Sequence, residues 1–117
     1  MPKGSPELTR ARREEIINAC EKLYEVMSFK EVTIKEISKY TSFTRPSIYN
    51  YFSTREDIFL ALLQREYEAW IRYLEAVKPT SAEKTASGFA GMLAESLSTR
   101  PILLKLLAMN QFDMEEH

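Results

Sequence analysis

One cysteine, one histidine and three glycines in 117 residues exclude most site chemistry at the outset. A lone Cys20 closes no disulfide within the chain. It stands among apolar residues at helical spacing, the setting of a buried thiol. A redox sensor needs an exposed, electropositive site. The sole histidine, His117, leaves no partner for a His-based metal site or for a Ser–His or Cys–His relay. No apolar run approaches the roughly 18 residues that cross a bilayer. The start, Met1-Pro2-Lys3-Gly4-Ser5-Pro6, has no apolar h-region and is not a signal peptide, so a cytoplasmic location is expected. No period-2 alternation survives beyond a few residues, which argues against strands. Nucleophile–base pairs, phosphate loops and metal clusters are missing too. The expectation is no enzyme, no cofactor and no metal.

What is present is helical and globular: 44% of residues are hydrophobic and 28% charged. The net charge is −1, but it is unevenly spread. Residues 1–55 hold 10 Lys and Arg against 7 Asp and Glu, whereas residues 56–117 hold 6 against 10. A basic front and an acidic back suit a chain that presents one end to a polyanion.

Six helices are expected. After a loose arm at 1–8, a helix over about 9–27 carries Ile16, Cys20, Leu23 and Met27 on one stripe, with Ile17 and Tyr24 alongside. Thr33-Ile34-Lys35-Glu36 is a capping box opening a short helix over about 33–40, with Ile34, Ile37 and Tyr40 inward. A turn at Thr41-Ser42-Phe43 follows. Thr44 is an N-cap and Pro46 fits the first turn of a helix over about 45–51, with Ile48 and Phe52 inward. Thr54 and Asp57 open a long helix over about 55–77, whose apolar face holds Ile58, Leu62, Tyr67 or Glu66, Trp70, Ile71 and Leu74. Pro79 ends it. Thr80 and Glu83 cap a helix over about 81–98, where Ala86, Gly88, Ala90, Gly91 and Ala94 suggest close packing. A last helix over about 100–112 is rich in leucine.

Two short helices joined by a three-residue turn and packed on a longer one make a compact trihelical unit. The second short helix is barely two turns long, so its outward residues, Arg45, Ser47, Tyr49, Asn50 and Tyr51, face solvent or a ligand. That face carries no acid. Arg binds guanine and Asn binds adenine by paired hydrogen bonds, and Tyr donates to a phosphate.

The stretch from Phe29 to Leu62, FKEVTIKEISKYTSFTRPSIYNYFSTREDIFLAL, resembles the N-terminal domain of the tetracycline-repressor (TetR) family. The likeness rests on the Thr33-opened helix, Ile37, the Ile48-Tyr49-x-x-Phe52 pattern, Arg55 and the acid–apolar start of the next helix. It extends back to about Arg10. The resemblance implies an all-α chain: a helix-turn-helix DNA-binding domain over 1–54, then over 55–117 a linker helix and the start of a helical ligand-binding and dimerisation domain. It implies that Arg45, Pro46, Ser47 and Asn50 lie near bases in the major groove of double-stranded DNA. It puts Tyr49 and Arg55 at phosphates, Thr33 and Lys35 at the backbone or an edge base, and Thr44 among the DNA contacts. It implies a homodimeric, ligand-responsive repressor on a palindromic operator, with further helices after residue 117 in the whole protein. The family carries Gly where Ser28 and Ser42 stand and Ala where Ser38 stands. A positive φ at Ser42 would cost about 1–2 kcal/mol relative to Gly.

Several residues keep two readings. Arg10, Arg12 and Arg13 suit an arm on DNA or the solvated face of the first helix, beside Glu14 and Glu15. Trp70, Phe89, Met92 and Met109, with Tyr67 and Tyr73, suit the lining of a small apolar effector's cavity or ordinary core. Leu103, Leu104, Leu106 and Leu107 point to a helix buried on most sides. The alternative to a DNA reader is a helical protein-interaction module.

Overall fold

The computed structural model describes residues 5–77 and 84–114, with side chains given as far as residue 108. The described residues form α1 (Pro6–Tyr24), a 3-10 turn (Phe29–Glu31), α2 (Ile34–Lys39), α3 (Arg45–Ile48), α4 (Arg55–Ala76), α5 (Ala86–Ser98) and α6 (Pro101–Met114). No strand occurs among them. Two compact units divide the chain, Met1–Leu62 and Leu63–His117. The first unit therefore includes the first two turns of α4, beyond the expected boundary at residue 54.

The first unit is built around α1. Ile16, Ile17, Cys20, Leu23 and Tyr24 are buried, as their spacing demands. Phe29 and Val32, Ile34 and Ile37 of α2, Ile48 and Phe52 around α3, and Ile58, Phe59 and Leu62 of α4 are buried as well. Rings close its centre: Phe59 meets Tyr24 edge-on at 5.1 Å and Phe29 at 4.7 Å. Offset and edge-on ring pairs of this kind are favoured over face-to-face stacking.

Local caps set the helix starts. Thr33 Oγ1 accepts the Glu36 N–H at 3.1 Å, and Thr54 Oγ1 accepts the Asp57 N–H at 3.1 Å. Each satisfies a first-turn donor that has no partner inside its helix. α1 begins earlier than its apolar stripe predicts. Ser5 is its N-cap, accepting the Leu8 N–H at 3.1 Å, and Pro6 occupies the first position. The expected arm thus loses its last three residues to the helix. α1 also stops at Tyr24, short of Met27. The 3-10 turn was not expected; it is fixed by Glu31, which accepts the Ser28 N–H at 2.9 Å. Tyr40, expected inward, is 56% exposed at the end of α2.

In the second unit, Ser96, Ile102, Leu103 and Leu106 are buried. Trp70 Nε1 donates to Ser96 Oγ at 2.8 Å, and Ser96 Oγ donates to the Leu93 carbonyl at 2.8 Å. Arg100 pairs with Glu66 at 3.6 Å. Glu66 is thus the partly covered residue, while Tyr67 is exposed. α5 begins at Ala86 behind Thr85, whose hydroxyl accepts the Gly88 N–H at 3.0 Å. The Thr80–Glu83 box and Pro79 lie outside the described residues. The small residues of α5 do not mark a close approach. Ala86, Ala90, Gly91 and Ala94 are exposed, and a Cβ on Gly91 would meet nothing within 4 Å. Leu104 and Leu107 are 40% and 46% exposed, whereas Ile102, Leu103 and Leu106 are buried, so among the described residues one side of α6 is covered.

Candidate nucleic-acid interface

α3 is only four residues long, too short to persist alone. Its backbone then tightens into i to i−3 turns: Asn50 donates to Ser47 at 3.1 Å and Tyr51 to Ile48 at 2.8 Å. Two side chains anchor this segment inward, Ile48 at 0% and Phe52 at 4% exposure. Between and before these anchors, Thr44, Arg45, Pro46, Tyr49 and Asn50 are exposed and Ser47 half-buried. Of the five residues expected outward, Arg45, Tyr49 and Asn50 are exposed, and Ser47 and Tyr51 are half-buried. Thr44 caps α3, its hydroxyl accepting the Ser47 N–H at 3.4 Å and lying 3.0 Å from Ser47 Oγ. Thr33 and Lys35 are exposed at the start of α2.

The turn before α3 is made without glycine. The Ser42 N–H donates to Glu15 Oε2 at 2.7 Å, and the Ser42 hydroxyl to Glu15 Oε1 at 3.2 Å. Thr41 Oγ1 accepts the Phe43 N–H at 3.0 Å and donates to the Ser38 carbonyl at 3.1 Å. Ser38 Oγ donates to the Lys35 carbonyl at 2.8 Å. Ser28 has φ −76°, extended backbone that needs no glycine.

The arginines of α1 separate. Arg10 and Arg12 are exposed, with Arg12 6.0 Å from the centre of the Phe43 ring. Arg13 turns inward: its guanidinium lies 4.2 Å from the centre of the Phe52 ring and donates to the Tyr51 carbonyl at 2.8 Å. Tyr51 packs its ring on Phe43 at 5.8 Å, so it is a packing residue.

Arg55, expected at a phosphate, has internal partners in this structure. Its Nη1 donates to the carbonyls of Phe29 at 2.6 Å and Val32 at 2.9 Å. The guanidinium lies 4.2 Å from the Phe29 ring centre, and Nε is 3.4 Å from Glu56. With its side chain 17% exposed, Arg55 ties α4 to the segment before α2. Sequence reasoning also missed Glu15 and Arg13, whose partners lie 27 and 38 residues away. Nothing local marks such contacts.

Of the residues expected at an effector, Phe89 is 49% exposed, Met92 is half-buried and Trp70 is engaged with Ser96. The Met109 side chain lies outside the described residues. Among those described, no group of three His, Cys, Asp or Glu could hold a metal ion. No described helix is long and apolar enough to cross a membrane.

The family of bacterial regulatory proteins, tetR family, matches residues 16–62. The chain is also similar to an uncharacterized HTH-type transcriptional regulator, YfiR, of Bacillus subtilis (strain 168). The two are 26% identical over 97 residues, covering 82% of this chain and 47% of that relative. The chain thus spans about half the length of that protein. No solved structure matches.

Proposed function

We propose, from the match of residues 16–62 to the tetR family of bacterial regulatory proteins, that the chain is a member of that family, a sequence-specific DNA-binding transcriptional regulator and not an enzyme. The observation that carries the reading is the exposed, acid-free face of α3, braced from below by Ile48 and Phe52. Arg45, Pro46, Ser47 and Asn50 meet base edges in the major groove, where Arg and Asn discriminate guanine and adenine by paired hydrogen bonds. Tyr49, Thr33, Lys35 and Thr44 meet the sugar–phosphate rim. Arg55 supports this surface from inside.

The regulator acts as a homodimeric repressor whose two reading heads address half-sites about one helical turn apart. The second unit belongs to the regulatory part, with Trp70, Phe89, Met92 and Met109 lining a site for a small apolar effector. The relative's printed name, a helix-turn-helix regulator, supports the DNA-binding part of the reading.

The test is duplex binding against salt. Counterion release gives a log–log slope of about −0.9 per phosphate neutralised. A steep, sequence-dependent loss of affinity is expected. A flat response in the full-length protein would instead favour a protein-interaction module.

A further inference from the structure

We propose that Arg13 of α1 is a positioning residue for DNA reading, one that sets how Tyr49 and Asn50 are presented. The proposal rests on the DNA-binding reading above and deepens it. The α-helical part of α3 ends at Ile48; beyond it the backbone is held by a long bond from Tyr49 to the Arg45 carbonyl at 3.4 Å, by the turn bonds of Asn50 and Tyr51, and by Phe52 to Ile48 at 3.1 Å. Such a short segment takes its direction from what its ends are fastened to. Ile48 fastens one end through packing. The other end is fastened by Arg13, which covers the Phe52 ring at 4.2 Å and donates to the Tyr51 carbonyl at 2.8 Å.

This pair of contacts uses what a guanidinium offers: a flat face for the ring and an N–H fork at its edge for the carbonyl. Residues two apart on a helix point about 200° away from each other at 3.6 residues per turn. Arg13 and Glu15 therefore leave α1 on different sides, Glu15 to the turn ahead of α3 and Arg13 to the segment behind it. α1 thereby holds both flanks of the reading segment. Arg13 is itself half-buried and committed internally, so it acts through Tyr49 and Asn50 and needs no contact with DNA.

The test uses the full-length protein and two probes: a duplex enriched from a random library by the wild type, and the unenriched library. Arg13→Met keeps the apolar stem and removes the fork. Its affinity for the enriched duplex should fall about tenfold, and that for the unenriched library by less than about twofold. Loss of folded protein lowers both by the same factor and leaves their ratio unchanged, which separates positioning from stability. Arg13→Lys reaches the ring or the carbonyl but not both, so its ratio should fall about threefold. It decides the matter if circular dichroism shows Arg13→Met unfolded. An unchanged ratio in a folded variant overturns the proposal alone. A wild type that enriches no duplex overturns the DNA-binding reading, and the proposal with it.

Discussion

Glu15 holds Ser42 with both carboxylate oxygens, taking the backbone N–H at 2.7 Å and the hydroxyl at 3.2 Å. The contact fastens a turn that contains no glycine. It brings the turn between α2 and α3 onto α1 across 27 residues of sequence. Glu15→Ala removes both bonds at a largely solvated site. The expected loss is about 1 kcal/mol, or about 4–8 °C in the melting of a unit this size. Ser42→Ala removes only the hydroxyl bond and should lose less than half as much. Thermal melts of the two variants check the order; a larger loss in Ser42→Ala would mean that the hydroxyl, not the N–H, anchors the turn.

Arg55 gives a second prediction, because an internal role and a phosphate role predict different measurements. Arg55→Ala strands the Phe29 and Val32 carbonyls that the guanidinium now serves. Hydrogen bonds to charged groups contribute about 1.5–3 kcal/mol, so urea unfolding should show a loss of about 2–3 kcal/mol. Arg55→Lys retains the charge but not the fork, and should still lose about 1 kcal/mol. The salt slope of DNA binding should stay the same for folded Arg55→Lys and Arg55→Ala. A slope lowered by about 1 in Arg55→Ala, with stability intact, would return Arg55 to the phosphate backbone.

What was legible in the sequence is the part governed by near neighbours. Thr33, Thr44 and Thr54 are caps because each hydroxyl meets an N–H three residues on. Ile48 and Phe52 follow from spacing alone. Ser5-Pro6 carries the same kind of signal, a cap followed by proline, but no periodic apolar residue stands near it, so the apolar stripe does not reveal that α1 begins there. Thr85 caps α5 by the same near-neighbour bond, to the Gly88 N–H. The exposed reading face was legible because α3 is short and carries no acid. The supports beneath it were not. Arg13, Glu15 and Arg55 find their partners only once the trihelical unit has closed. A charged residue that ends as an internal clamp is, as sequence, the same as one on a solvated face.

The exposed face itself gives the third prediction. Arg45 and Tyr49 are both exposed on the α3 segment, yet they are assigned different work. A bidentate Arg contributes about 1–3 kcal/mol of discrimination at its own base pair. Arg45→Ala should therefore lower affinity for the enriched duplex and relax preference at one position per half-site. Tyr49→Phe removes one O–H and should weaken enriched and unenriched duplexes by a similar small factor. Binding measured against a panel of single-base variants checks both. If preference survives Arg45→Ala at every position, Arg45 contacts the backbone and the base reading passes to Asn50.

Two serines of α5 make a matched pair for the second unit. Ser96 Oγ, buried, accepts from Trp70 Nε1 at 2.8 Å and donates to the Leu93 carbonyl. Ser98 Oγ, exposed, donates to the Glu95 carbonyl at 2.6 Å. Both hydroxyls bond back along the same helix, and Ser→Ala raises helix propensity similarly at either position. Only Ser96 also satisfies the indole of the sole tryptophan. Ser96→Ala leaves that N–H without its acceptor and should cost about 1–2 kcal/mol, while Ser98→Ala should stay within about 0.5 kcal/mol of the wild type. Denaturant unfolding followed by Trp70 fluorescence measures both. Equal stabilities would mean that water replaces Ser96 on the indole, and that the Trp70 ring holds its place by packing alone.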